Sequence, residues 1–355
     1  MGKSKKFKLS IIATVILILS LSLLLVACSK PTNANNIYSN SYSLASDTPY
    51  ARINLDGTAN ANGDYVLYGY YPQSLKANDV SITATQPDAN GYFEGSDGNK
   101  YVQLTATPYK ETYTFINGEK IQAKTKKQKA GVYFFKVEPI LWRVLSAADG
   151  KLTLLCESII DNEAYISLAN CENPETKRTI FNLKEGVAEG TFSNNWEHSD
   201  IRTWLNGKFL TTALSPAQQA MLEDVTLDNK TTAITADEAY STCQNNTVDK
   251  IYLPSYKDIM SSNGGLSETQ RTHITSDFAR CKGAWMVLTD KKAVGNGWWM
   301  LRSPSGSTES STYENANRVS SVFANGKLKE YDSYYASVVT DTLAGVVPML
   351  TISIA

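Results

Sequence analysis

The chain has 355 residues, with 34 lysines and arginines against 35 aspartates and glutamates, so its formal net charge is −1 at pH 7. This balance argues against a nucleic-acid-binding protein, and we interpret the single basic run, residues 124–129, as a solvated loop. The length is ample for one large domain or two small ones. The 20 tyrosines and six tryptophans are many for this length, and aromatic residues suit both β-strands and sugar-binding faces.

The N-terminal residues predict an export signal. Four lysines (Lys3, Lys5, Lys6 and Lys8) precede an almost wholly apolar segment, residues 11–26, which is too short for an ordinary membrane span. Leu25-Val26-Ala27-Cys28 at its end resembles the lipobox of bacterial lipoproteins, which implies cleavage before Cys28 and lipidation of that cysteine. The alternative is an ordinary signal peptide with an incidental cysteine.

Three regions follow from this assignment. Residues 1–27 are the predicted lipoprotein signal peptide. Residues 28–49 are rich in serine and asparagine, and we expect a disordered tether because such a segment buries little apolar surface. Residues 50–355 are the predicted single domain, with a variable hairpin region at about 76–130. Removing the four signal lysines leaves 30 basic and 35 acidic residues, a charge of about −5.

The first part of this domain is predicted to form strands. Residues 65–71 predict a strand that ends at Pro72, and turn signals at residues 76–130 predict hairpins. Residues 131–138 and 140–146 predict two separate strands around Pro139. Asp149-Gly150 then predicts a turn into a further strand at 151–155.

The middle of the chain predicts helices. Ser199 can cap a helix whose apolar face carries Ile201, Trp204, Leu205 and Phe209, and Asn206-Gly207 predicts a kink or a division into two helices. Ser215, Pro216 and Gln218 have the pattern of a capping box. A short strand is expected at 250–253, and Ser255 with Asp258 predicts another helix that runs through Met260.

The last third returns to strands, at residues 298–302, 317–323 and 346–354, with an Asn325-Gly326 turn leading into 327–331. The predicted elements are strands first, helices in the middle and strands last, and they show no βα alternation. This order predicts an α+β fold with a mostly antiparallel sheet and a few short helices.

Several of these segments together resemble the bacterial family DUF6273, a domain of unknown function. The pieces that carry the resemblance are Gly69 to Ser74, Phe135 to Leu145, Trp196 with Ser199 to Asn206, Leu210 to Pro216, Leu253 to Ser255, Trp298 to Pro304 and Gly345 to Pro348. Spacing and order agree over roughly residues 65–354. The closing strands are similar to those of C-type-lectin-like and formylglycine-generating-enzyme-like folds, which implies a lectin-like architecture but no reaction. The family commonly has arginine where this chain has Val347.

The sequence assigns no catalytic residue, metal site or cofactor. His198 and His273 lie in no metal-ligand spacing, and a cysteine nucleophile paired with His273 has no local motif behind it. Cys156, Cys171, Cys243 and Cys281 form either one or two disulfides or buried free thiols, and the three pairings of four cysteines stay open.

The candidate ligand-binding residues are Arg302, Trp298 and Trp299. Arg302 follows an aromatic strand, and it either satisfies loop carbonyls and a carboxylate or contacts a ligand. Neighbouring strand residues face opposite ways, so one tryptophan of the pair enters the core and the other faces outward or a second layer. An outward tryptophan suits sugar or peptide stacking.

The expected function is a surface lipoprotein on the extracytoplasmic face of the cell membrane, held by a lipid anchor. Its domain is expected to be a non-catalytic binding module for glycan, cell-wall polymer or protein. One alternative is a hydrolase or other enzyme of cell-wall or glycan metabolism whose carboxylates the sequence does not locate. Another is a solute-receptor lipoprotein, which the missing βα alternation disfavours.

Overall fold

The computed structural model of the chain describes residues 51–53, 65–229, 245–261, 265–304, 316–328 and 337–354. All of them belong to one compact unit, residues 42–355. The predicted signal peptide, Cys28 and the tether lie outside the described residues. Within the described part of the chain, no helix is long and apolar enough to cross a membrane.

The main sheet has eight strands, and every neighbouring pair in it is antiparallel. Six of these strands lie side by side in the order β1-β2-β5-β6-β15-β10. The other two extend the sheet, since β4 pairs with the N-terminal end of β5 and β3 pairs with β4. Their bounds are β1 Ala51–Ile53, β2 Tyr65–Leu75, β3 Phe93–Glu94, β4 Lys100–Thr105, β5 Val132–Ala148, β6 Lys151–Cys156, β10 Ile251–Tyr252 and β15 Met349–Ser353. Together with a few short helices, this sheet confirms the predicted α+β class.

The prediction of two strands around Pro139 is wrong, because β5 is one strand of 17 residues that runs through this proline. Pro139 lies opposite Tyr70 of β2. On the other edge of β5, β4 pairs with its first residues and β6 with its last ones, so Pro139 lies between the two pairings. A proline is tolerated there because the ladder does not need its missing N–H group.

The predicted end of β2 at Pro72 is also wrong, since the strand continues to Leu75. Its register with β5 shifts on both sides of Pro72, as at a β-bulge. At the first shift, Gly69 has a φ of +75°, and a Cβ atom there would lie 2.7 Å from the carbonyl oxygen of Ala213. Glycine is therefore required both by the backbone angle and by the close approach of the helical region.

Three smaller sheets complete the strands. The strands β12 Trp299–Pro304, β13 Arg318–Val322 and β14 Ser337–Val338 form an antiparallel sheet. The other two are the antiparallel pair β8 Val225–Leu227 with β9 Thr247–Asp249 and the parallel pair β7 Ser158–Ile159 with β11 Ile274–Thr275. The predicted strands near 298, 317 and 346 are thus present with shifted ends.

The helices are short, and three of them begin at the predicted caps Ser199, Ser215 and Ser255. They are α1 Asp200–Trp204, α2 Leu210–Ala213, α3 Pro216–Met221, α4 Tyr256–Ser261 and α5 Asp277–Lys282, with the last one not predicted. Ser199 accepts the N–H of Arg202, and Ser215 with Gln218 forms the complete capping box. The expected interruption at Asn206-Gly207 is a π-helical turn, Leu205–Phe209, that joins α1 to α2.

The core lies between the main sheet and these helices. Trp142 is fully buried and donates its indole N–H to the carbonyl oxygen of Tyr68 at 2.8 Å. The Tyr71 ring contacts the rings of Phe209 and Phe278, which join the strand layer to the helices. Trp204, expected in the core, is partly exposed and packs against the rim of the core through the Phe209 ring.

Three of the four domain cysteines, Cys156, Cys171 and Cys281, are buried free thiols, and Cys243 lies outside the described residues. Burial raises the pKa of Cys156 and Cys281 to about 12 and that of Cys171 to about 11. These thiols stay protonated near neutral pH, so none of the three is an activated nucleophile.

Candidate functional site

Of the three predicted ligand-binding residues, Trp299 and Arg302 lie in strand β12, and Trp298 immediately precedes it. Trp299 is fully buried, and its indole N–H donates to the carbonyl oxygen of Arg271 at 3.1 Å. The ring of His273 meets the Trp299 ring edge-on, with 5.0 Å between the ring centroids. Trp299 is therefore a core residue in this structure.

Arg302 is also buried, with 3% of its surface exposed, and its guanidinium contacts protein groups. Nη1 donates to Asp258 Oδ2 at 2.6 Å and to the carbonyl oxygen of Leu253 at 2.9 Å, while Nε donates to Asn229 Oδ1 at 3.3 Å. The guanidinium also lies over the Tyr252 ring, 5.6 Å from its centroid. These contacts are the ones expected of a structural arginine.

Asp258 links Arg302 to the start of α4. Its carboxylate accepts the backbone N–H and the hydroxyl of Ser255, and its own N–H donates to the Ser255 hydroxyl. This reciprocal pattern is the predicted cap, and it holds the carboxylate in place for the guanidinium. Arg302 therefore fastens α4 to β12 with a charge-assisted hydrogen bond.

Of the three predicted ligand-binding residues, Trp298 is the one that reaches the surface. It is partly exposed, stacks on Trp285 with centroids 5.0 Å apart and ring planes at 22°, and meets Phe323 edge-on at 5.9 Å. We call Trp285, Trp298 and Phe323 the aromatic cluster. The indole N–H of Trp298 is buried and meets no acceptor within the described residues. Such an unpaired donor costs on the order of 1–3 kcal/mol.

Backbone hydrogen bonds from neighbouring loops fix the aromatic cluster. The N–H of Trp285 donates to the carbonyl oxygen of Leu343, and the carbonyl oxygen of Trp298 accepts the N–H of Gly345, both at 2.9 Å. Phe323 begins the tight turn that ends at Lys327, as its carbonyl oxygen accepts the Gly326 N–H. The cluster is thus assembled from three separate segments on a rigid frame, as recognition sites commonly are.

A second polar group, the Asp161 cluster, consists of Tyr71, Asp161, Glu163 and Lys282. The Tyr71 hydroxyl donates to Asp161 Oδ2 at 2.6 Å, and Lys282 Nζ contacts Asp161 Oδ1 at 2.6 Å and Glu163 Oε1 at 3.0 Å. Burial raises the pKa of Tyr71, and the Asp161 carboxylate raises it further. Burial lowers the pKa of Lys282, but the two carboxylates outweigh it and raise the pKa overall. Lys282 is therefore charged, and Tyr71 is neutral.

The two histidines lie in different surroundings. His198 precedes the cap of α1, where its backbone N–H donates to Asn195 and its ring lies 3.5 Å from a Glu197 carboxylate oxygen. His273 is 1% exposed, and neither ring nitrogen makes a hydrogen bond within the described residues. Burial is the main cause that lowers the pKa of His273 to about 4. Among the described residues, no group of histidine, cysteine, aspartate and glutamate side chains is arranged to hold a metal ion.

Comparison with protein families gives one match, to the domain of unknown function DUF6273, over residues 149–354. The chain belongs to the DUF6273 family. The match begins at the turn between β5 and β6, so the segments near residues 69–74 and 135–145 that contributed to the resemblance lie outside it. The chain has no match among curated proteins or among solved structures.

Residues of the DUF6273 segments around α1 make structural contacts. Trp196 donates to Asp249 Oδ2 at 3.0 Å, and Arg202 Nε donates to Asp249 Oδ1 at 2.6 Å. Asn206 Oδ1 accepts the N–H groups of Lys250 and Ile251. These contacts fasten α1 to the strands that follow it, so the residues in this part of the DUF6273 pattern have structural roles.

The final DUF6273 segment is buried as well. Val347 is fully buried in the core. The aromatic cluster draws only Trp298 from the quoted segments, whereas Trp285 and Phe323 come from elsewhere. No local motif around Trp285 distinguished it, because its stacking depends on how the chain folds back between residues 285 and 298.

Proposed function

We propose that this DUF6273 protein is a lipid-anchored surface protein that binds glycan or cell-wall polymer, without catalysis, through its aromatic cluster. The observation that carries the proposal is the parallel Trp285–Trp298 stack at the surface, with the unpaired indole N–H of Trp298 beside it. Tryptophan suits such a site because it offers a broad apolar face together with a hydrogen-bond donor.

The chemistry of a sugar ring matches this cluster. One face of a sugar ring presents C–H groups that can lie against an indole, and its hydroxyl oxygens can accept a hydrogen bond. Trp298 is partly exposed but its indole N–H is buried, so a ligand oxygen would reach the donor only if the Trp298 ring moved. Pairing this donor with a ligand oxygen would recover the desolvation cost that it bears in the free protein.

The location rests on the N-terminal sequence. Cys28 ends the lipobox-like Leu25-Val26-Ala27-Cys28, and lipidation there would hold the domain at the extracytoplasmic face of the membrane. A Cys28→Ser variant should lose the lipid and appear in the soluble extracellular fraction. An unchanged membrane fraction and an unchanged mass of the N-terminal peptide would contradict the anchor.

Ligand binding can be tested with arrays of glycans and wall fragments probed with the mature chain. We expect Trp298→Ala to weaken binding about tenfold or more, through the loss of stacking and of the donor. Trp298→Phe keeps an aromatic face without the N–H, so its glycan affinity should lie between those of wild type and Trp298→Ala. Trp204→Ala is the matched control, because Trp204 is also partly exposed but lies on α1. Binding that ignores Trp298, or no binding above background, would refute the proposal.

The second candidate function is an enzyme of wall or glycan metabolism, and the Asp161 cluster favours it. Two carboxylates with one ammonium between them and a tyrosine hydroxyl are groups that acid–base catalysis uses. If wall polymer is hydrolysed, Glu163→Gln should abolish the turnover, because Glu163 is the more exposed of the two carboxylates. Turnover that is unaffected by Glu163→Gln would remove the cluster from consideration.

A further inference from the structure

The lysines of this protein are unevenly distributed. The connection between β4 and β5, residues 106–131, contains six lysines and two glutamates, a formal charge of +4. The mature chain as a whole carries about −5, so the remainder is strongly acidic. A positive segment on an acidic protein produces a local field that attracts anions to one place.

Four of these lysines, Lys124, Lys126, Lys127 and Lys129, lie within six residues, and we call residues 124–129 the lysine loop. Internal hydrogen bonds fold it back: Thr125 N–H donates to the carbonyl oxygen of Gln128 at 3.0 Å, and Gln122 Nε2 donates to that of Lys129 at 2.7 Å. The Gln122 N–H donates in turn to the hydroxyl of Tyr133 on β5. The backbone of the loop is therefore held at its base.

The lysine side chains of this loop point away from the protein. All four residues are exposed, and none of them forms an ion pair within the described part of the chain. Four like charges at this spacing repel one another, and an external anion would relieve that repulsion. A partner that carries several negative charges would therefore stabilise this arrangement.

The exposed apolar side chains of the same connection favour one kind of anionic partner. Of the nine large hydrophobic residues exposed in the described structure, three belong to the same connection or its first strand residue: Tyr109 at 48%, Ile116 at 38% and Val132 at 52%. Lys110 also lies over the Tyr109 ring, 5.7 Å from its centroid. Lysines interleaved with aromatic and aliphatic side chains suit a bilayer surface, which offers both headgroups and acyl chains.

We propose that the lysine loop binds the anionic phosphate headgroups of a lipid bilayer, as a second membrane contact besides the lipid anchor. This inference rests on the membrane location in the proposed function. Each lysine close to an anionic surface strengthens attachment, and the attraction decays within about a Debye length. A second contact would restrict the orientation of the domain, which decides the direction in which the aromatic cluster faces.

The test uses the mature full-length chain with Cys28→Ser, so that no lipid is attached and failure of the anchor does not affect the result. Co-sedimentation is measured with vesicles of phosphatidylcholine alone and of equal parts phosphatidylcholine and phosphatidylglycerol. We expect binding to the anionic vesicles only, and less of it as salt is raised. Replacing Lys124, Lys126, Lys127 and Lys129 with glutamine should weaken it about tenfold or more.

The matched control removes the same charge elsewhere, by glutamine at the exposed residues Lys177, Lys291, Lys292 and Lys327. This control should keep most of the vesicle binding. Equal binding to both vesicle types, or equal loss in both quadruple variants, would overturn the proposal. Soluble inorganic polyphosphate is the third probe: tight binding to it without binding to anionic vesicles would assign the loop to a soluble polyanion instead. Glycan binding by Trp298 is measured separately, so the two proposals fail independently.

Discussion

Acidification should destabilise this protein through His273, and the effect can be isolated from other titrating groups. His273 is buried against the Trp299 ring, and neither of its nitrogens makes a hydrogen bond within the described residues. Burial is the largest cause that lowers its pKa to about 4, the nearby positive charge of Arg143 lowers it too, and the carbonyl group of Glu157 opposes them. The imidazole is therefore neutral in the folded protein until the pH is low.

The direction of the stability change depends on whether the unfolded or the folded state takes up the proton at the higher pH. In the unfolded chain the imidazole has an ordinary pKa of about 6.5, so between about pH 6.5 and pH 4 the unfolded state holds more protons than the folded one. Stability is then lost as the pH falls through this range. A difference of about 2.5 pKa units corresponds to about 3 kcal/mol, a large share of the 5–15 kcal/mol typical of a domain.

The assay is urea unfolding of wild type and His273→Phe at a series of pH values. Phenylalanine keeps the contact with Trp299 without a titrating group. Between about pH 7 and pH 4, the free energy of unfolding of His273→Phe should therefore fall by about 3 kcal/mol less than that of wild type. Carboxylates such as Asp200, whose pKa is lowered by hydrogen bonds that outweigh its burial, titrate in both proteins and cancel in the difference. Parallel stability curves for the two proteins would show that His273 does not cause the loss of stability in acid.

Three further predictions concern buried polar groups. Arg302→Met should destabilise the fold by about 3–5 kcal/mol in urea unfolding, because it leaves the Asp258 carboxylate without its guanidinium partner; normal stability with lost ligand binding would instead assign Arg302 to the ligand. Cys156, Cys171 and Cys281 should resist alkylation in the native protein at mildly alkaline pH and react after denaturation, since burial raises their pKa values; rapid native labelling would contradict this. Tyr71→Phe should cost about 1–3 kcal/mol, because it removes the hydroxyl that donates to the buried Asp161 carboxylate; an unchanged denaturation midpoint would be inconsistent with that hydrogen bond.

The sequence was most informative where structure depends on neighbouring residues. The caps at Ser199, Ser215 and Ser255 were predicted correctly because each needs only a side chain and an N–H group three residues apart. The alternation that predicted one tryptophan of the Trp298–Trp299 pair in the core and the other facing outward is a local rule of the same kind, although it did not say which residue takes which place.

Predictions failed where tertiary pairing outweighed a local signal. Pro72 and Pro139 are ordinary strand breakers, yet both lie within long strands. Pro72 lies between two register shifts of β2 against β5, and Pro139 lies between the pairings of β5 with β4 and β6. The partners of Arg302 come from Asn229, Leu253 and Asp258, which are distant in the chain, so the sequence left its structural and ligand-binding roles open. The Trp285–Trp298 stack was also not predicted, because it depends on how the segment between the two tryptophans folds back.

Glycan binding at the aromatic cluster can be observed directly through the NMR signal of the Trp298 indole N–H during titration with wall-derived glycan, with the signal assigned by its loss in Trp298→Phe. Binding at the aromatic cluster predicts that this resonance shifts with added glycan, because the unpaired donor gains an acceptor. The Trp142 indole, which already donates to Tyr68, should stay in place and serves as the internal control. A glycan that binds without moving the Trp298 resonance, or a titration in which no resonance moves, would contradict the account.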